Sequence, residues 1–136
     1  MNQLSNKKYD LEERTAQFAE QIIDLVKTIP ITAINNKIIS QLVGSAGSVG
    51  ANYCEATEGE SKKDFIHKIG ICKKETKESK HWLRLLARSN PERKEEIRKY
   101  WQEAQELLLI FSKISQSSKG KSLIIKKLEN SLNIDN

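Results

Sequence analysis

The sequence has 136 residues with 38% hydrophobic and 30% charged residues, and its formal net charge is +5. This length fits one domain whose core can be stable without a metal or a disulfide, and six glycines and two prolines are too few for a collagenous or low-complexity chain. No apolar run approaches the roughly 20 residues that cross a bilayer, and residues 1–15 lack the apolar segment of a secretory signal, so we expect a cytoplasmic protein that does not enter membranes.

The first predicted helix covers residues 11–29. Asp10 and Glu13 have the spacing of a capping box, and Pro30 ends the pattern. One helical face carries the apolar residues Leu11, Phe18, Ile22, Leu25 and Ile29. This spacing is typical of an amphipathic helix that buries one side.

The second predicted helix covers residues 33–57 and follows Thr32. Its apolar stripe consists of Ile34, Ile38, Leu42, Ala46, Val49, Tyr53 and Ala56. The same segment contains three glycines, at 44, 47 and 50, and each costs about 1 kcal/mol relative to alanine inside a helix. Close packing between helices two and three is the expected compensation, through the small residues Gly47, Ser48, Ala51 and Gly70.

The third predicted helix covers residues 62–89 and begins after the capping residue Ser61, with Asp64 three positions later. Its inner face carries Phe65, Ile69, Cys72, Thr76, Ser79, Leu83 and Leu86. The fourth predicted helix covers 91–117, because proline is favoured at a first helical position, and its stripe is Ile97, Tyr100, Ala104, Leu107, Phe111 and Ile114. The run SSKGKS interrupts this pattern, so residues 118–136 are predicted as a C-terminal tail that is either a short helix or mobile.

Four amphipathic helices joined by short connections predict an all-α fold, an antiparallel up-down-up-down four-helix bundle. In this arrangement Cys54 and Cys72 are about 12 Å apart along the helix axes, too far for a disulfide, which predicts two free thiols. Several apolar residues fall outside the four stripes, and covering them favours an oligomer: Ile23, Ile39, Val43, Ile66 and Ile71.

Basic residues concentrate in residues 61–90, which contain nine Lys or Arg and three Asp or Glu. Five of them advance by three or four positions and share one face of the third helix: Lys73, Lys77, Lys80, Arg84 and Arg88. Such a line can bind the phosphates of a nucleic acid, with strong salt dependence, or can be a solvated outer face. Trp82 and Trp101 both lie beside apolar stripes, so we expect recognition by charge or shape rather than by base stacking.

Metal and cofactor sites are not expected. Glu78 and His81 have the Glu-x-x-His spacing of di-iron bundles, but the second histidine, His67, is about 21 Å away along the same helix. No zinc-ligand spacing and no phosphate-binding loop is present in the sequence.

Two carboxylates of the third helix allow two interpretations. Glu75 and Glu78 can act as an acid and base pair, or they can form a buried or subunit-spanning ion pair with Arg14 as the candidate partner and Asn52 as a hydrogen-bond partner. The sequence has no Ser-His-acid trio. We therefore prefer the structural interpretation and expect no enzymatic activity.

Three segments of the chain, residues 9–22, 41–75 and 77–86, resemble the bacterial four-helix-bundle family of ribosomal RNA intervening-sequence proteins. The reading frames of this family were first noticed inside insertions of large-subunit ribosomal RNA genes. The resemblance covers the first three helices almost continuously. It is carried most clearly by Arg14, Thr15, Phe18, Gly50, Ala51, Asn52, Tyr53, Glu55, Ala56, Ser61, Asp64, Phe65, Glu75, Glu78, Trp82 and Leu83.

The resemblance implies a ring-like homopentamer without an established enzymatic activity. A distant relation is the accessory variability determinant of diversity-generating retroelements, which binds nucleic acid and a reverse transcriptase. The Ala51-Asn52-Tyr53 segment departs from that accessory protein, so we do not transfer its partner. We expect a non-enzymatic homo-oligomer that contacts structured RNA or a ribonucleoprotein through the basic face of helix three. The alternative is a structural or protein-binding scaffold with no role in nucleic-acid binding.

Overall fold

The computed structural model describes the backbone of residues 10–134 and the side chains of residues 10–118 and 131. This part of the chain forms four α-helices and no strand: α1 (Leu11–Val26), α2 (Ala33–Thr57), α3 (Lys62–Ser89) and α4 (Lys94–Ile134). A short 3₁₀ helix, Pro91–Arg93, precedes α4. Helix α1 packs on α2 and α4, and α3 packs on α2 and α4, so the fold is all-α around one shared core. Across the described helices, none combines the length and the apolar character that spanning a membrane requires.

Side-chain caps begin the first three helices. Asp10 accepts a hydrogen bond from the backbone amide of Glu13 at 3.0 Å, and Ser61 accepts one from the amide of Asp64 at 3.1 Å. Thr32 caps α2 in the same way. Each cap satisfies a backbone amide that has no partner within its helix, so these residues define where the helices start.

The end of α1 differs from the prediction. The helix ends at Val26 rather than at residue 29, because the amides of Thr28 and Ile29 bond to carbonyls three residues earlier and tighten the chain before Pro30. The Thr28 hydroxyl supports this turn by donating to the Leu25 carbonyl at 2.7 Å.

The extent of α4 also differs from the prediction. Its α-helical part begins at Lys94 and continues to Ile134 instead of ending at residue 117. The SSKGKS run lies within the helix because a single glycine costs only about 1 kcal/mol and no proline follows it. The segment predicted as a tail is therefore helical up to residue 134, and its last two residues lie outside the described part.

The core is apolar and draws on all four helices. Ile34, expected on the buried face of α2, is instead 66% exposed, because Asn35 takes the inward position in this first turn. Both cysteines are free thiols, and burial raises the pKa of the Cys72 thiol to about 12. The largest fully buried apolar side chains are Phe18, Ile22 and Leu25 of α1, Leu42 and Val49 of α2, Ile69, Leu83 and Leu86 of α3, and Ile97, Leu107 and Phe111 of α4.

Buried polar side chains hold α2 against α3 at defined levels. Asn35 and Asn90 exchange two hydrogen bonds, at 3.0 and 2.9 Å, and Ser45 and Ser79 share one at 2.9 Å. Every buried side-chain nitrogen and oxygen among the described residues has a hydrogen-bond partner. Because an unpaired buried polar group costs about 1–3 kcal/mol, these pairs favour a single register between the two helices.

Gly50 is the glycine of α2 that faces a neighbouring helix. A Cβ built at this position lies 3.1 Å from Oγ1 of Thr15 on α1, so the two helices approach closely here. The Thr15 hydroxyl is itself held by its hydrogen bond to the Leu11 carbonyl, at 2.7 Å.

The expectation that small residues bring α2 and α3 together is wrong within one chain. No described atom of a neighbouring element lies within 4 Å of a Cβ built at Gly44, Gly47 or Gly70. Ala51 is exposed and Ser48 is half-buried. The small residues therefore leave an open surface on α2 and α3 instead of filling their interface.

Replacing Gly44 and Gly50 by alanine, one at a time, tests this placement. Gly44→Ala should raise the free energy of unfolding by up to about 1 kcal/mol, because alanine is the better helix former and its methyl group meets nothing. Gly50→Ala should gain less or lose stability, because its methyl group presses on Thr15. Urea unfolding of both variants and the wild type measures the difference, and equal gains at the two positions would contradict the packing of α1 on α2.

Candidate nucleic-acid interface

The predicted basic line runs along α3 from Lys73 to Arg88. Lys77, Arg84 and Arg88 are exposed, and Lys73 and Lys80 are half-buried. Five ion pairs form among the described residues, and none of them involves any of these five side chains. Their positive charges are therefore not neutralised by a carboxylate of the described part of the chain.

Lys80 differs from the other four because it contacts α4. Its ammonium group lies 4.6 Å from the centroid of the Trp101 ring and donates a hydrogen bond to Oε1 of Gln105. A cation over an indole face is attracted by the ring quadrupole. Lys80 thus links α3 to α4, and Lys73, Lys77, Arg84 and Arg88 remain as candidate phosphate ligands.

A groove of about 800 Å³ lies between the end of α3 and the start of α4. Arg84 and Arg88 line it from α3, and Lys94 and Arg98 line it from α4. No acidic side chain of the described residues lines the groove, and only Arg98 among these four has a carboxylate within 4.0 Å, that of Glu95. The remaining lining residues are Leu83, Ala87, Pro91, Ile97, Trp101 and Gln102.

The sequence prediction did not include the two cations of α4. Residues 91–117 contain equal numbers of basic and acidic side chains, so their net charge carries no signal. The residue spacing does carry a signal, because Lys94 and Arg98 are four residues apart and share one helical face with Trp101. Three of the acidic residues of this segment are paired with arginines outside the groove, Glu96 with Arg93, and Glu103 and Glu106 with Arg14.

Arg14 binds carboxylates of α4, so the expected pairing with Glu75 or Glu78 of α3 is wrong within one chain. Its guanidinium donates to both oxygens of Glu103, at 2.9 and 2.8 Å, and to Glu106 at 2.7 Å. The hydrogen bond with Glu103 is the main reason why the pKa of Arg14 is raised. This two-point contact joins the first helix to the last.

Glu75 and Glu78 do not form an ion pair with any described residue. Burial raises the pKa of the Glu75 carboxyl, and the nearby charge of Glu78 raises it further. Asn52 does not join them, because its amide donates to the Ser48 carbonyl of its own helix at 2.8 Å.

The other residues of the family resemblance have packing or surface contacts. Tyr53 packs against Phe111 with ring centroids 6.1 Å apart, and Glu55 pairs with Lys68 at 2.5 Å. Trp82 meets His81 edge-on at 5.0 Å. The described residues contain no group of three or more side chains arranged to hold a metal ion.

The family comparison agrees with this four-helix architecture. The sequence model of the 23S rRNA-intervening sequence protein family matches residues 7–113. The chain belongs to this family. The match includes α1, α2, α3 and α4 up to residue 113, and residues 1–6 and 114–136 lie outside it.

A solved structure from the S23 ribosomal protein family is similar to this chain. It is the crystal structure of a protein of unknown function from Bacteroides thetaiotaomicron, with 29% sequence identity and a TM-score of 0.66. The similarity covers 76% of the present chain and 96% of that chain. No curated protein matches the sequence significantly.

The partner of Arg14 can be checked by double-mutant cycles. The cycle of Arg14→Ala with Glu103→Ala should give a coupling free energy of about 1 kcal/mol, because both oxygens of a half-buried carboxylate are engaged. The matched cycle with Glu75→Ala should give a coupling near zero. Denaturant unfolding of the variants measures both values, and a larger coupling with Glu75 would restore the pairing expected from the sequence.

Proposed function

We propose that this protein is a non-enzymatic homo-oligomer that binds structured RNA through the basic surface of α3 and the start of α4. The cluster of cations on these two helices is the observation that carries the proposal. Arg84 and Arg88 of α3 meet Lys94 and Arg98 of α4 around one groove. Lys73 and Lys77 extend the same surface along α3.

The length of this surface suits a nucleic-acid backbone. From Lys73 to Arg88 the line spans about 22 Å of helix axis, at about 1.5 Å per residue. In a DNA duplex the nucleotides of one strand rise by about 3.4 Å each, and on that scale the line is about as long as six nucleotides. Binding of this kind releases counterions and depends more on backbone shape than on base sequence.

The proposed chain topology is an antiparallel up-down-up-down bundle. Three side-chain contacts support it for α2 and α3: Asn35 with Asn90, Ser45 with Ser79, and the Cys72 thiol with the Val49 carbonyl. From the first of these contacts to the third, the residue number of the α2 partner rises and that of the α3 partner falls. Gly50 beside Thr15 and the Cys54 thiol bonded to Glu12 support the same inversion for α2 and α1.

The homo-oligomer is proposed as a ring, with five subunits as the family resemblance implies. Of the apolar residues expected outside the four stripes, Ile23 is 41% exposed, and Ile39, Val43, Ile66 and Ile71 are half-buried. Leu109 of α4 is 53% exposed. The open small-residue surface on α2 gives a helix of another subunit room to approach. We place the protein in the cytoplasm, where free thiols such as Cys54 and Cys72 persist.

RNA binding is tested by charge reversal. The double variant Arg84→Glu and Arg88→Glu should bind a labelled RNA hairpin at least tenfold more weakly at 50 mM salt. The slope of its log affinity against log salt concentration should be less negative than the wild-type slope by about two. Fluorescence anisotropy at 50 to 200 mM salt measures both effects.

The control reverses the same amount of charge on the same helix. Lys62→Glu and Lys63→Glu lie at the start of α3, about 33 Å along the axis from Arg84, and should change the affinity much less. An equal loss in both double variants would mean that net charge alone governs binding. An oligomer that binds no RNA at any of these salt concentrations would favour the scaffold alternative.

Assembly is tested at Gly47. Light scattering should give a wild-type mass that is a multiple of the 15.5 kDa chain, and Gly47→Leu should reduce it to the single-chain mass. The variant should keep its helicity by circular dichroism, because no described atom of another element lies within 4 Å of a Cβ at this position. Gly47→Ala is the control and should retain the assembly. An unchanged mass for Gly47→Leu would place the subunit interface elsewhere.

A further inference from the structure

The groove between α3 and α4 contains an aromatic ring next to the basic surface. Trp101 lines the groove from α4 and is half-buried. Lys80, which does not line the groove, lies over this ring and bonds to Gln105 one helical turn further along α4. The Lys80 cation thus links the indole to α3.

Few residues supply the accessible apolar surface of the groove. Leu83 and Ile97 line its floor but are 0% and 1% exposed, so they offer almost no surface to a ligand. The accessible part belongs to Trp101, Ala87 and Pro91. A docked amphipathic helix needs a row of apolar anchor sites three and four residues apart, which this floor lacks. One planar ring fits it.

The rim of the groove is cationic on both sides. Arg84 and Arg88 stand on the α3 side, and Lys94 and Arg98 stand on the α4 side. Arginine guanidinium groups bind phosphate oxygens in pairs, and lysine binds them as a point charge. A ligand with a flat ring between two anionic groups therefore matches both the floor and the rim.

We infer that this groove binds one unpaired base of an RNA, stacked on Trp101, while the four cations hold the phosphates on either side of that nucleotide. The inference rests on the proposed RNA binding and names the part of the RNA that enters the groove. Aromatic side chains next to a positively charged track are the usual means of holding unpaired bases without reading their sequence. The groove would thus prefer RNA with a bulge to a continuous duplex.

The test uses Trp101 as its own reporter. The chain has two tryptophans, so Trp82→Phe leaves Trp101 as the single source of indole fluorescence. Two blunt-ended RNA duplexes of equal length serve as probes, one fully paired and one with a single unpaired adenosine. We expect the bulged duplex to bind about tenfold more tightly and to quench the fluorescence, and the paired duplex to bind without quenching.

Substitution of the ring separates stacking from charge. Trp101→Leu should remove the tenfold preference and retain binding of the paired duplex, and Trp101→Phe should keep part of the preference. Circular dichroism and the melting temperature verify that both variants fold, and the quenching measurement on Trp82→Phe tests the inference without altering the groove.

The outcomes distinguish this inference from the proposed function. Equal affinity for the two duplexes without quenching overturns the stacked base and leaves RNA binding by the basic surface intact. The absence of binding to either duplex overturns both. Quenching by a synthetic helical peptide of leucine and glutamate, with none by RNA, would assign the groove to an acidic protein partner and overturn the inference.

Discussion

The packing of the inner face of α3 is the constraint on which the rest of this molecule depends. Ile69, Cys72, Leu83 and Leu86 are fully buried, so the helix has only one rotation that satisfies its core contacts. The cations of α3 then lie on the neighbouring face at the edge of the core, exposed at Lys77, Arg84 and Arg88 and half-buried at Lys73 and Lys80, because burying an unpaired charge costs several kcal/mol. The basic surface is thus a consequence of the same periodicity that builds the core.

Contacts between helices distant in the sequence decide which charges remain available. Arg14 forms ion pairs with Glu103 and Glu106, and Arg93 forms one with Glu96, so three acidic groups of α4 are already paired. Without these contacts the carboxylates would be free to neutralise neighbouring cations. The pairing leaves the groove between α3 and α4 lined by basic side chains with no acidic one from the described residues.

Glycine in α2 has two different physical roles. At Gly50 the missing side chain lets α1 approach within contact of the helix backbone, with Thr15 as the neighbour. At Gly47 no described neighbour explains the missing side chain, and its helix-propensity cost of about 1 kcal/mol is unrecovered within one chain. Because packing within the monomer does not offset this cost, we look for packing between subunits that offsets it.

Local rules in the sequence determined much of this protein, namely the four helices, their caps and most of the buried side chains, because a 3.6-residue period and hydrogen bonds to the next turn involve only near neighbours. The same periodicity predicted the cations of α3 as one face. The partner of Arg14, the open side of Gly47 and the meeting of Trp101 with Arg84 and Arg88 were decided only by tertiary structure. Each depends on the rotation and relative height of helices far apart in the chain, which residue spacing within one helix does not encode.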